Sequence, residues 1–69
     1  MKQPLSKRQN QVLRFILSFN KRMGFMPTLV EMGQWLEITP ITVLQHLNYI
    51  ERKGWIKRSL GKARWIKIL

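Results

Sequence analysis

The chain has 69 residues, no cysteine, and 13 lysines and arginines against three acids, a formal net charge of +10. One small domain spanning residues 1–69 is expected. A chain this short buries only about 60% of the surface that it exposes unfolded. Neither disulfides nor a thiolate metal site can supplement its core. So few acids cannot neutralise so many bases within the fold, so a polyanionic partner is expected: nucleic acid first, an anionic membrane surface as the rival.

No apolar run approaches the roughly 20 residues that span a bilayer. The opening MKQPLSKRQNQ lacks the apolar centre of a signal peptide. Together these point to a cytoplasmic protein.

Residues 1 to 5 read as a short arm. Ser6 to Gln9 is a Ser-x-x-Gln capping box that predicts the start of a first helix. Val12, Ile16, Phe19 and Met23 repeat at helical spacing, and Leu13, Phe15 and Leu17 widen that apolar face. Gly24 ends the helix. Phe25, Met26 and Pro27 predict a short extended piece, because Pro27 pushes Met26 away from helical angles. Thr28 to Glu31 is a second capping box, opening a helix that runs to about Leu36, with Leu29, Met32, Trp35 and Leu36 as its apolar side. Glu37 and Ile38 form a tight turn, with Ile38 as the plug between two helices.

Thr39 to Gly54, TPITVLQHLNYIERKG, is the stretch that the rest serves. Thr39 is a natural N-cap and Pro40 suits the first helical position. Arg52 and Lys53 complement the negative end of the helix dipole. Gly54 is free to take the left-handed conformation that stops a helix. Val43, Leu47 and Ile50 make one apolar stripe. The other side carries Ile41, Thr42, Gln45, Asn48 and Arg52, with Glu51 as its one carboxylate.

After Gly54 the apolar period falls from 3.6 to 2. Residues 55–59 and 64–68 predict two strands, joined by a loop over residues 60–63. Ile56, Ile66 and Ile68 are expected on the core face, with Trp55, Lys57, Trp65 and Lys67 on the other. The order helix, short strand, helix, turn, helix, hairpin is that of a winged helix-turn-helix: mainly α, three helices and a small β-hairpin.

Four stretches carry a resemblance to a known family: LSKRQNQVLRFI, GFMPTLVEMGQWL, TVLQHLNYIERKGWIKR and KARWIKIL. In this order they resemble the N-terminal DNA-binding domain of LexA-type repressors. The opening LSKRQ with the closing RWIKIL is the more specific part, since TVLQHL followed by KGWI recurs in many winged-helix regulators. The resemblance implies a repressor domain that binds half of a palindromic operator. Two departures stand out. The turn LEITP is one residue shorter than is usual in the family and has Glu37 in place of its glycine. Ile41 and Leu44 replace small or polar residues on the reading surface. The resemblance stops where the wing closes. The self-cleaving domain with a Ser-Lys dyad, and the dimerisation it supplies, are therefore not implied.

Sequence readout requires side chains that match base edges in the major groove. Gln45 and Asn48 suit adenine, which offers N7 and N6 together. Thr39 and Thr42 can bond a base or a phosphate. Ile41 and Leu44 either touch thymine methyls or pack against a neighbouring helix or partner. An A/T-rich half-site is therefore expected. Lys57, Arg58, Lys62 and Arg64 on the wing suit phosphates or a narrow minor groove. Arg52 and the helix N-terminus at Thr28 are further phosphate candidates. Double-stranded DNA is thus the expected partner, bound by two copies on a palindrome.

His46 has neither a cysteine nor a second histidine beside it, and Glu31, Glu37 and Glu51 show no paired-carboxylate spacing. No metal, cofactor, small-molecule substrate or enzymatic reaction is expected. Two other functions remain open: a module that binds another regulator, with Ile41, Leu44, Trp55 and Trp65 as contacts, and nonspecific nucleic-acid binding. Trp55 and Trp65 either cover the open end of the core or stack on bases.

Overall fold

Each helix begins at the cap that the sequence marks. The computed structural model describes residues 2–59 and 66–69. Helix α1 (Lys7–Met23) starts at Ser6, whose Oγ accepts from the Gln9 amide at 3.2 Å while Gln9 Oε1 accepts from the Ser6 amide at 3.0 Å. Helix α2 (Leu29–Leu36) starts at Thr28 with the same reciprocal pair, completed by Glu31. Helix α3 (Pro40–Arg52) starts at Thr39, whose Oγ1 accepts from the Thr42 amide. Each cap satisfies a donor that would otherwise lack a partner, worth about 1 kcal/mol.

The helix ends differ. Gly24 closes α1 at φ +82° and its amide donates to Asn20 O. Gly54, just past α3, has φ +89°. Glu37 closes α2 at φ +58°, ψ +41°, a left-handed conformation held by a residue with a Cβ. Both Glu37 and Ile38 donate their amides to Gly33 O. The turn is tight enough that a Cβ on Gly33 would lie 2.7 Å from Ile38 O. Gly33 is therefore required by the turn, although glycine costs about 1 kcal/mol within a helix.

Strands β1 (Ile56–Arg58) and β2 (Ile66–Ile68) pair antiparallel, with Ile56 opposite Ile68, Lys57 opposite Lys67 and Arg58 opposite Ile66. Three helices and a hairpin make the winged helix-turn-helix. One buried cluster draws on every element: Val12, Leu13 and Ile16 from α1, Met32 from α2, Val43, Leu47 and Ile50 from α3, and Ile56 and Ile66 from the hairpin. The apolar stripe of α3 is thus core, as its spacing predicts. Ile38 is half-buried and packs against this cluster.

Several expectations need correction. Leu17 and Met23 are exposed. Helical residues advance about 100° each, which carries Leu17 well around the helix from Val12 and Ile16. Met23 sits on the stripe but in the last turn of α1. Trp35 is 64% exposed. It lies at the margin of the Leu29–Met32–Leu36 stripe and packs sideways on Phe15 at 5.8 Å between centroids, with the Arg22 guanidinium 6.0 Å above its ring. Ile68 is 37% exposed, since the core reaches Ile56 but not fully to its cross-strand partner near the chain end. Residues 25–27 are not a strand of the described sheet. A segment between the left-handed Gly24 and Pro27, which has no amide hydrogen, offers few ladder bonds.

Trp55 precedes β1, so strand alternation does not govern it. It packs against the core cluster, and its indole Nε1 donates to Gln3 O at 2.6 Å. Trp55 thus covers part of the core, as one of its readings expects. Trp65 lies outside the described residues. The N-terminal arm is tied to the same corner. Gln3 N donates to Lys53 O, Lys2 Nζ to Leu69 O, and Leu69 N to Trp55 O.

Candidate nucleic-acid interface

The helix-turn-helix leaves one side of α3 outside the fold. Ile41 is 71% exposed, the most exposed of the large apolar side chains among the described residues. Gln45, Asn48 and Arg52 are exposed with it, at the helical offsets 41, 45, 48 and 52 that form one stripe. Leu44 is half-buried beside that stripe. At the start of the helix the Thr39 and Thr42 hydroxyls are 2.9 Å apart and hydrogen-bond each other. The expected base-contact set is therefore gathered on one surface: Thr39, Ile41, Gln45 and Asn48 in the open, Thr42 and Leu44 half-buried at its margin.

The expected phosphate contacts fare less evenly. Arg52 is exposed, with its guanidinium 5.5 Å from the Tyr49 ring centroid. Lys57 is exposed on β1. Arg58 is committed inside the protein: its Nε and backbone amide both donate to the Glu51 carboxylate at 3.3 Å, and its Nη2 donates to Asn48 Oδ1 at 2.6 Å. Thr28 is half-buried, and both its amide and its hydroxyl donate to Glu31 Oε1. A phosphate there would compete with a carboxylate already in place. Lys62 and Arg64 lie outside the described residues.

Sequence reasoning assigns Lys67 no role. The pairing register sets it directly opposite Lys57, and both are exposed. Like charges on facing strand positions repel. Two lysines placed this way suit an anionic partner. The alternation along the two strands already puts both on one face; only the register makes them neighbours.

Two of the three acids are engaged within the fold, while Glu37 is exposed. Glu31 belongs to the α2 cap and Glu51 to the α3–β1 junction. Among the described residues no group of three His, Cys, Asp or Glu side chains is placed to hold a metal ion, and no helix is long and apolar enough to cross a membrane. The arrangement presents an apolar and amide-bearing helix face, rimmed by cations, to something that it does not itself contain.

The chain is 38% identical over all 69 residues to the LexA repressor of Pseudothermotoga lettingae, covering 34% of that protein. It is 41% identical over 64 residues to the LexA repressor of Thermotoga maritima, covering 93% of this chain and 32% of that protein. It is 40% identical over 68 residues to LexA repressor 1 of Geobacter sulfurreducens, covering 97% of this chain and 34% of that protein. The chain thus spans about a third of the length of these relatives. The family model described as the LexA DNA binding domain matches residues 2–65, which takes in all three helices and β1, and the chain belongs to that family.

Proposed function

We propose that this chain binds double-stranded DNA sequence-specifically as the DNA-binding part of a transcriptional repressor. The outward face of α3 lies in the major groove, and Thr39, Ile41, Thr42, Leu44, Gln45 and Asn48 meet base edges there. Arg52, Lys57, Lys67 and the wing residues Lys62 and Arg64 meet phosphates. Two copies occupy a palindromic, A/T-rich operator in the cytoplasm. Membership of the LexA DNA-binding domain family and relatives named LexA repressor support this reading. The observation that carries it is the unburied face of α3, with Ile41 71% exposed beside Gln45 and Asn48, on a chain of net charge +10.

The test compares affinity for a palindromic A/T-rich duplex with affinity for random duplex. A ratio near one overturns sequence-specific reading. Gln45→Ala is expected to relax base preference at a cost of about 1 to 3 kcal/mol. With about five phosphate contacts, log K falls against log salt with a slope near −4.5.

A second reading has one observation in its favour. Trp35 on α2, 64% exposed, and Phe25 between α1 and α2, 43% exposed, leave aromatic surface in the open, where Trp is apt for a protein interface. Trp35→Ala leaves duplex affinity unchanged under the first reading.

A further inference from the structure

We infer that Arg58 is a positioning residue that fixes the hydrogen-bonding sense of Asn48, so that Asn48 selects guanine rather than adenine. The inference rests on the placement of α3 in the major groove. An asparagine side chain has one acceptor oxygen and an amide nitrogen with two hydrogens. Reading adenine uses both, the oxygen accepting from N6 and the nitrogen donating to N7. Here the oxygen is already engaged: Arg58 Nη2 donates to Asn48 Oδ1 at 2.6 Å. A guanidinium only donates, so the amide cannot turn over without setting two donors face to face. The orientation of Asn48 is therefore imposed by chemistry.

Arg58 is in turn not free to leave. Glu51 Oε1 accepts from its Nε and Glu51 Oε2 from its backbone amide, each at 3.3 Å. The Arg58 side chain is only 23% exposed. Glu51 stands three residues after Asn48 on α3, so the arginine lies across one turn of the reading helix. The short bond is charge-assisted. It also polarises the amide, which weakens the remaining lone pair of Oδ1 as an acceptor and strengthens Nδ2 as a donor.

The group left facing outward is therefore Nδ2 with its hydrogens. Guanine presents two adjacent acceptors in the major groove, N7 and O6. Adenine sets a donor, N6, beside its one acceptor. Thymine offers O4 alone and cytosine only a donor. A donor-only side chain ranks guanine first and cytosine last. This sets one G-reading position within an otherwise A/T-rich half-site. Arg58 acts through Asn48, and the wing strand thereby takes part in base selection without touching a base.

The experiment selects bound duplexes from a random pool with the wild-type chain, Asn48→Ala and Arg58→Met, all checked for helical circular dichroism. The wild type is expected to enrich guanine at one position, and Asn48→Ala to abolish preference there. Arg58→Met should move that position to adenine, changing the ratio of G to A affinities by about tenfold or more. If Arg58→Met keeps guanine and weakens every duplex equally, Arg58 is only a phosphate or stability contact and the inference fails. If the wild type enriches no sequence at all, the groove placement itself fails and the inference falls with it. Should Arg58→Met not fold, Glu51→Gln carries the test: a weakened guanine preference at that position supports the inference, an unchanged one overturns it.

Discussion

Helices α1 and α2 both end in a left-handed residue, but one uses Gly24 and the other Glu37. At Gly24 the conformation costs nothing beyond glycine's own entropy, and the surroundings are open. At Glu37 it costs about 1 to 2 kcal/mol, because Cβ crowds the following carbonyl. The two ends differ in where the chain must go next. After Gly24 the chain has three irregular residues before the next cap. After Glu37 it must place Thr39 and α3 within two residues, held by a pair of amides on Gly33 O. The turn that aims α3 is the strained one, and strain of this kind is where local rules yield to the demands of the whole fold.

Three substitutions break or sharpen this contrast. Gly33→Ala should have the largest effect. Its Cβ would meet the backbone carbonyl of Ile38 at 2.7 Å, and backbone cannot step aside as a flexible side chain can. A loss of about 1 to 3 kcal/mol is expected despite the better helix propensity of alanine. Urea unfolding would read it as a lowered midpoint with unchanged slope, and a wild-type midpoint would mean that the turn has room for the methyl group. Next comes Gly24→Ala. Nothing lies within 4 Å of the added Cβ, so only the backbone is strained, by about 1 kcal/mol. The smallest effect has the opposite sign. Glu37→Gly should stabilise by about 0.5 to 1 kcal/mol, since it relieves the left-handed strain and gives back part as chain entropy. A destabilised Glu37→Gly protein would show that the glutamate side chain contributes something beyond its backbone conformation.

Local signals carry most of the fold. Ser6, Thr28 and Thr39 each cap a helix, and both capping boxes close as their spacing predicts. Val43, Leu47 and Ile50 are buried as their spacing requires. What local pattern cannot carry is how far the core extends. The stripes of α1 and α2 and the alternation of β2 name a face, yet Met23, Trp35 and Ile68 lie beyond the reach of the buried core. A tight turn at Glu37 and Ile38 is visible in sequence, but not that the Glu37 backbone takes the left-handed conformation. For the candidate interface, the shared exposed face of Ile41, Gln45, Asn48 and Arg52 can be read from helical offsets alone. The bond between Asn48 and Arg58 joins residues ten apart across two elements, and the facing of Lys57 and Lys67 depends on register. Neither leaves a trace in local periodicity.

The tying of Lys2 and Gln3 to Lys53, Trp55 and Leu69 brings both described ends of the chain to a single corner. That corner is at the Arg52 end of α3, whereas Thr39 opens the other end, roughly 20 Å away at 1.5 Å per residue. Any polypeptide or label attached at either terminus thus starts from the Arg52 end of α3, on the side remote from Thr39.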